Sequence, residues 1–206
     1  MKRLASCFMA IGVLAGAAAQ AAGIQVAGVD HVGINVPDLK QAEAFFNSAF
    51  GCEPVTRIGP FQLDPTASPD AAGFAPRADS VTIAMLRCGE GSNIELFEYV
   101  NSRGSKVMPR AEDIGASHIA FYTDDIEGAV SYLKARGITV LGKPVTMTSG
   151  DTEGETWVHF RSPWGSDMEL VSYPNGKGYE HRTSLRLWNP KHPASEPSHE
   201  PSTGLI

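Results

Sequence analysis

The stretch Val29-Asp30-His31-Val32-Gly33-Ile34-Asn35-Val36-Pro37-Asp38-Leu39 decides the reading of this chain, because it recurs. Val32, Ile34 and Val36 alternate with His31, Gly33 and Asn35, the period of a strand with one apolar face. Asp38 then precedes Leu39, Ala42, Phe45, Phe46 and Ala49, which recur at helical spacing until Gly51. An offset of 87 residues carries His31 onto His118, Asp38 onto Asp125, Ala42 onto Ala129 and Phe45 onto Tyr132. An offset of 74 carries Ile94-Glu95-Leu96 onto Met168-Glu169-Leu170. The difference of 13 residues is an insertion in the first half, assigned to the Pro/Gly/Ala-rich loop 59–79.

Each half therefore reads β-α-β-β-β. The first (about 27–101) has strands at 29–36, near 52–58, 81–87 and 93–100. The second (about 114–174) has strands at 118–123, 139–147, 155–161 and 167–173, with a helix opened by Asp124-Asp125 and closed by Gly137. The expected fold is α+β, two tandem modules curling into an open barrel over residues 25–175. Residues 176–206 read as a tail. Within 179–188, Leu185, Leu187 and Trp188 suit docking, and the Pro/Ser/His-rich end 189–202 reads as disordered, so the tail is expected to be partly disordered.

Composition excludes several classes. Lys+Arg 17 against Asp+Glu 23 gives a net charge of −6 with no basic run, which argues against nucleic-acid binding. Residues 1–22 carry Lys2 and Arg3, then an uncharged small apolar run, then Ala-Gln-Ala-Ala, the pattern of a secretory signal peptide. The expectation is a periplasmic or secreted protein beginning near Gly23, with no membrane attachment after cleavage. Cys52 and Cys88 then remain, either disulfide-bonded or as two buried thiols.

Four ionisable residues occupy equivalent positions in the two halves: His31, Glu95, His118 and Glu169. Each lies beside apolar neighbours that alternation sends to the helix side, so all four point to the opposite side of their sheets. Two imidazoles and two carboxylates suit one divalent ion with nitrogen and oxygen ligands: Ni, Zn, Mn, Co or Fe. On the strand 155–161, His159 and Arg161 share a face, His159 suited to proton transfer and Arg161 to an anionic group. Tyr99 and Tyr122 stand four residues after Glu95 and His118, an even spacing that keeps them on the ligand face. The Gly-containing loop 148–155 suits closure over a substrate.

With these residues in place, the chain resembles the vicinal oxygen chelate superfamily, which includes glyoxalase I, methylmalonyl-CoA epimerase, extradiol dioxygenases and the fosfomycin and bleomycin resistance proteins. The resemblance implies paired modules around one metal held by His31, Glu95, His118 and Glu169, the two-His, two-Glu pattern of many glyoxalase I enzymes. It implies a metal-dependent lyase or isomerase acting on a small molecule by proton transfer through an enediolate, with Glu169 as first candidate for the base and Glu95 as second. Asn35 and Tyr99 stand where bacterial glyoxalase I has its glutathione-contacting Arg and Asn, so the resemblance leaves the use of glutathione open. An Fe(II) extradiol-type dioxygenase, an epimerase, whose branch usually has Gln where Glu95 stands, and a ligand-sequestering resistance module are the competing readings. Pairing of the modules within one chain or between the chains of a homodimer stays open.

Overall fold

The computed structural model describes residues 28–64 and 77–193. The signal-peptide expectation and most of the insertion loop lie outside them. Strand β1 (His31–Asn35) leads through helix α1 (Leu39–Phe50) to β2 (Glu53–Gln62), β3 (Ser80–Arg87) and β4 (Asn93–Val100). The second module follows the same order: β5 (Ile119–Tyr122), α2 (Ile126–Ala135), β6 (Val140–Thr146), β7 (Thr156–Arg161) and β8 (Asp167–Ser172). Two four-stranded sheets result, ordered β1-β4-β3-β2 and β5-β8-β7-β6. In each, the first strand runs parallel to the last and the other pairs are antiparallel.

Local chemistry sets the helix boundaries. The Asp38 carboxylate accepts from the Gln41 amide at 2.8 Å, and Asp125 does the same for Gly128, the expected N-caps. Gly51 ends α1 at φ 67°, a left-handed conformation that glycine adopts without a Cβ penalty. Leu39, Ala42, Phe45 and Phe46 are the buried face of α1, and Ile126, Val130 and Leu133 that of α2.

Two expectations need correction. Residues 59–62 are not loop: β2 continues through them to Gln62, because β3 offers a long partner and bulges between Pro54 and Thr56 and between Ile58 and Phe61 accommodate the irregular sequence. The disorder expected over 189–202 does not hold for 189–193, and 194–202 lie outside the described residues. A 3₁₀ turn at Gly178–His181 docks on module two, and residues 189–193 are placed as well. The two sheets do not close into a barrel. α1 lies between them: its Phe50 ring stacks on Phe121 of β5 at 4.0 Å, Phe45 meets Trp164 at 5.5 Å, and Tyr132 of α2 donates to the Ser48 carbonyl at 2.7 Å. The helix sides of both sheets thus turn inward onto one shared apolar core. Burying these faces dominates the folding energetics, and it turns the two opposite faces away from each other. Cys52 and Cys88 are disulfide-bonded, tying the start of β2 to the end of β3.

Candidate metal centre

Each sheet builds half of the predicted ligand set. In the first, Glu95 pairs with Gly33 across β1 and β4, and His31 lies one diagonal step away. A Cβ on Gly33 would stand 3.2 Å from the Phe97 ring and in ordinary contact with the Glu95 carboxylate, so this position packs closely beside the place where His31 and Glu95 meet. Their Nε2 and Oε2 atoms are 3.0 Å apart. In the second sheet Ala120 takes the place of Gly33 opposite Glu169, and His118 Nε2 lies 3.0 Å from Glu169 Oε2. The duplication is reproduced down to this distance.

A neutral imidazole nitrogen and a carboxylate oxygen are both electron-pair donors. Two such atoms 3.0 Å apart repel unless a proton or a cation lies between them. At His31 the Nδ1–H donates to Asp30 Oδ1 at 2.7 Å, which leaves Nε2 aimed at Glu95. The hydrogen bond to Asp30 is the largest effect and, with the Glu95 and Asp30 charges, raises the His31 pKa above 6.5 against the opposing effect of burial. Asp30 is the kind of partner that orients a ligating histidine from behind. Sequence reading missed it. The Asp-His dipeptide was a local signal, but Ser117 stands at the equivalent position and the repeat gave no support.

The donors fit a borderline divalent ion in kind: imidazole nitrogen and carboxylate oxygen. They do not fit in number within one chain. Among the described residues no group of three His, Cys, Asp or Glu side chains converges. The expectation that all four ligands share one concavity is therefore corrected to two separate pairs, a direct result of the inward-facing core.

The remaining predicted residues divide between two cavities. A cavity of about 830 Å³ is lined by His118, Glu169 and Tyr122 from module two and by residues 89–93 from module one. Tyr122 donates to Asp124 at 2.6 Å, and burial together with that bond holds its phenol protonated far above the usual range. A smaller cavity of about 330 Å³ on the other flank of His118 is lined by His159 and Arg161. The His159 ring stands 5.2 Å from that of His118, edge to face, and His159 pairs across the strands with Glu169. Arg161 is engaged by Asp167 at 3.2 Å and is not a free anion receptor. Tyr99 stacks beside Phe97 on the first sheet, where burial and then the Glu95 charge raise its pKa. The loop 148–155 does not stand open as a lid. Its Asp151 and Glu153 carbonyls accept from the Tyr179 and Gly178 amides and so hold the tail.

Residues 30–154 match the Glyoxalase/Bleomycin resistance protein/Dioxygenase superfamily. A 2-epi-5-epi-valiolone epimerase from Actinomyces sp is 39% identical over 171 residues, covering 79% of this chain and 88% of that protein. Among solved structures, a glyoxalase family protein from Bacillus cereus superposes with a TM-score of 0.56 at 22% identity, covering 73% of this chain and 97% of its own. A glyoxylase/bleomycin resistance protein/dioxygenase domain from Frankia sp. EAN1pec gives 0.52 at 16% identity, covering 72% and 99%.

Proposed function

The chain belongs to the glyoxalase/bleomycin resistance protein/dioxygenase superfamily, and on that premise we propose that it is a divalent-metal-dependent isomerase that inverts a carbon beside a carbonyl. The epimerase relative, matched over most of both chains, supports inversion and a cyclic polyhydroxy ketone of the valiolone kind as substrate. The observation that carries the site is the pair of matched His–Glu contacts at 3.0 Å, one on each sheet.

Because each chain presents its two pairs apart, the ligand set is completed in a homodimer. His31 and Glu95 of one protomer meet His118 and Glu169 of the other, in the self-complementary manner of a two-fold interface. A divalent ion bound there supplies Lewis-acid polarisation of the carbonyl, which makes the neighbouring C–H more acidic. The protein's own part is proton handling. Glu169 is 14% exposed and lines the large cavity, which puts its carboxylate within reach of a substrate C–H as the base. Inversion requires proton delivery to the opposite face, and Glu95, arriving on the other sheet, provides a second carboxylate for that step. The Cys52–Cys88 disulfide supports an oxidising compartment, in line with export.

The test is exchange of the substrate's α-proton with D₂O, followed by NMR with the metal-loaded protein and a cyclic polyhydroxy ketone. Glu169→Gln keeps an oxygen ligand but removes basicity, so exchange should fall roughly 10²–10⁴-fold with a much smaller loss of metal. Parallel losses of metal and exchange would reduce Glu169 to a ligand, and no exchange by the unmodified protein would end the isomerase reading.

A further inference from the structure

The tail after β8 forms a third wall of the large cavity, with Lys177, Trp188 and Pro190 among its lining residues. Its course is set by short contacts. Gly178 approaches the backbone of the loop 148–155 so closely that a Cβ there would lie 2.1 Å from the Gly150 carbonyl oxygen. The Gly178 amide donates to Glu153 at 2.9 Å, and the Tyr179 amide to Asp151 at 3.0 Å. The chain then turns back: the Leu187 amide donates to the Tyr179 hydroxyl at 2.9 Å. Trp188 next reaches the other module. A Cβ on Gly91 would stand 2.9 Å from the indole, so the ring is seated on the bare backbone of the β3–β4 turn. Lys191 finally returns to module two, its ammonium 2.8 Å from Asp124. The tail thus spans both modules across the cavity mouth.

Two of its side chains face the cavity with a composition that selects a ligand class. The Lys177 ammonium pairs with Glu155 and lies 4.2 Å above the Tyr173 ring, and both partners of the ion pair are largely buried. A largely buried ion pair is weak evidence for stability, and both Lys177 and Glu155 line the cavity, where they are within reach of a ligand. Trp188 remains 54% exposed even though it is seated on Gly91, so its ring is open to the cavity. Both tail ammonium groups are charge-compensated, Lys177 by Glu155 and Lys191 by Asp124, and Arg161 is committed to Asp167. No unpaired cation among these groups is left for an anionic substrate. They offer charge-assisted donors and acceptors beside the rings of Tyr173 and Trp188. Hydroxyls of a neutral ligand can use the former, and the C–H faces of a saturated ring can lie against the latter.

We propose that Lys177, with its partner Glu155, and Trp188 are specificity-determining residues, and that the tail segment carrying them selects a neutral polyhydroxylated six-membered ring. The proposal rests on the isomerase reading for its chemistry but is tested through binding. Isothermal titration of the full mature protein, metal-free and metal-loaded, uses 2-keto-myo-inositol, a neutral ring ketone, against quinate, a cyclic polyol bearing a carboxylate. The ketone should bind in both states and more tightly than quinate. Lys177→Met retains the apolar stem and should weaken ketone binding roughly 10- to 100-fold, the range for losing a charge-assisted hydrogen bond. Trp188→Ala should weaken it by roughly tenfold, with Trp188→Phe recovering most of the loss and all variants melting like the parent. Unchanged ketone affinity in folded Lys177→Met and Trp188→Ala, a preference for quinate, or no ketone binding by the unmodified protein would each overturn the proposal. Ketone binding that depends on the tail without α-proton exchange would uphold it and refute the isomerase reading. Exchange with unaltered affinity in the variants would do the reverse.

Discussion

Mixing two crippled chains tests whether the metal centre is built between protomers. In a two-fold dimer each site takes one His–Glu pair from each chain. His31→Ala leaves every site with three donors, and so does His118→Ala, because each pair has two donors 3.0 Å apart and loses one. A four-donor site is worth on the order of 10–16 kcal/mol, so one donor represents about 3 kcal/mol, an affinity loss of roughly 10²-fold. Either homogeneous variant should therefore be nearly empty at a metal concentration that saturates the parent. When the two variants are co-expressed with different tags and the heterodimer is isolated, one site collects both damaged pairs. The other collects His31 and Glu95 from one chain and His118 and Glu169 from its partner, all intact. The heterodimer should bind about one ion per dimer with parental affinity, and random 1:1 mixtures should recover about a quarter of the sites. Metal content by atomic emission and competition with a chelator reads both quantities. No high-affinity ion in the isolated heterodimer would place the four ligands within one chain and refute the argument from the inward-facing core. Full metal content in either homogeneous variant would remove the histidines from the ligand set.

Three further outcomes are expected. His31 titrates above 6.5 in the metal-free protein because of Asp30 and then Glu95. Its imidazolium therefore contributes stability that is complete below pH 6.5 and is lost as pH rises through the raised folded value. Metal uptake runs the other way, growing as that proton leaves. An NMR titration should show Asp30→Asn bringing the His31 midpoint down, and no movement would dismiss Asp30 as its partner. Removing the Cys52–Cys88 crosslink, which spans a sequence separation of 36, should cost about 4 kcal/mol by loop-closure entropy, read as a lower denaturation midpoint in urea for the double Cys→Ala variant; equal midpoints would mean that the bond is not formed in the native protein. Mass analysis of the protein isolated from its native cells should find an N-terminus near Gly23 rather than an intact Met1.

Much of this protein was legible in the sequence because local physics governs it. Alternation of Val32 and Ile34 with His31 and Gly33 assigns faces to β1 without any tertiary information. Asp38, Asp125 and Gly51 mark helix ends through hydrogen bonds and dihedrals confined to a few residues. The internal repeat added what a single strand lacks: two His and two Glu at matching places, which alternation turns to the side of each sheet away from the helices. Sequence periodicity says which face a residue takes, but not what that face meets. Whether the two ligand faces close on each other depended on the rings of Phe45, Phe50, Phe121 and Trp164, which draw α1 between the sheets. Those contacts join residues more than 70 positions apart, and an apolar helix stripe would serve equally well against either sheet. The tail was legible only in part: Leu185, Leu187 and Trp188 marked it for docking, but not the surface it docks on. Its composition is polar and proline-rich, yet the bare backbones at Gly91, Gly150 and Gly178 let Trp188 and the 3₁₀ turn pack closely on both modules. Close approach of backbones is a property of the assembled fold, and no spacing rule along the chain encodes it.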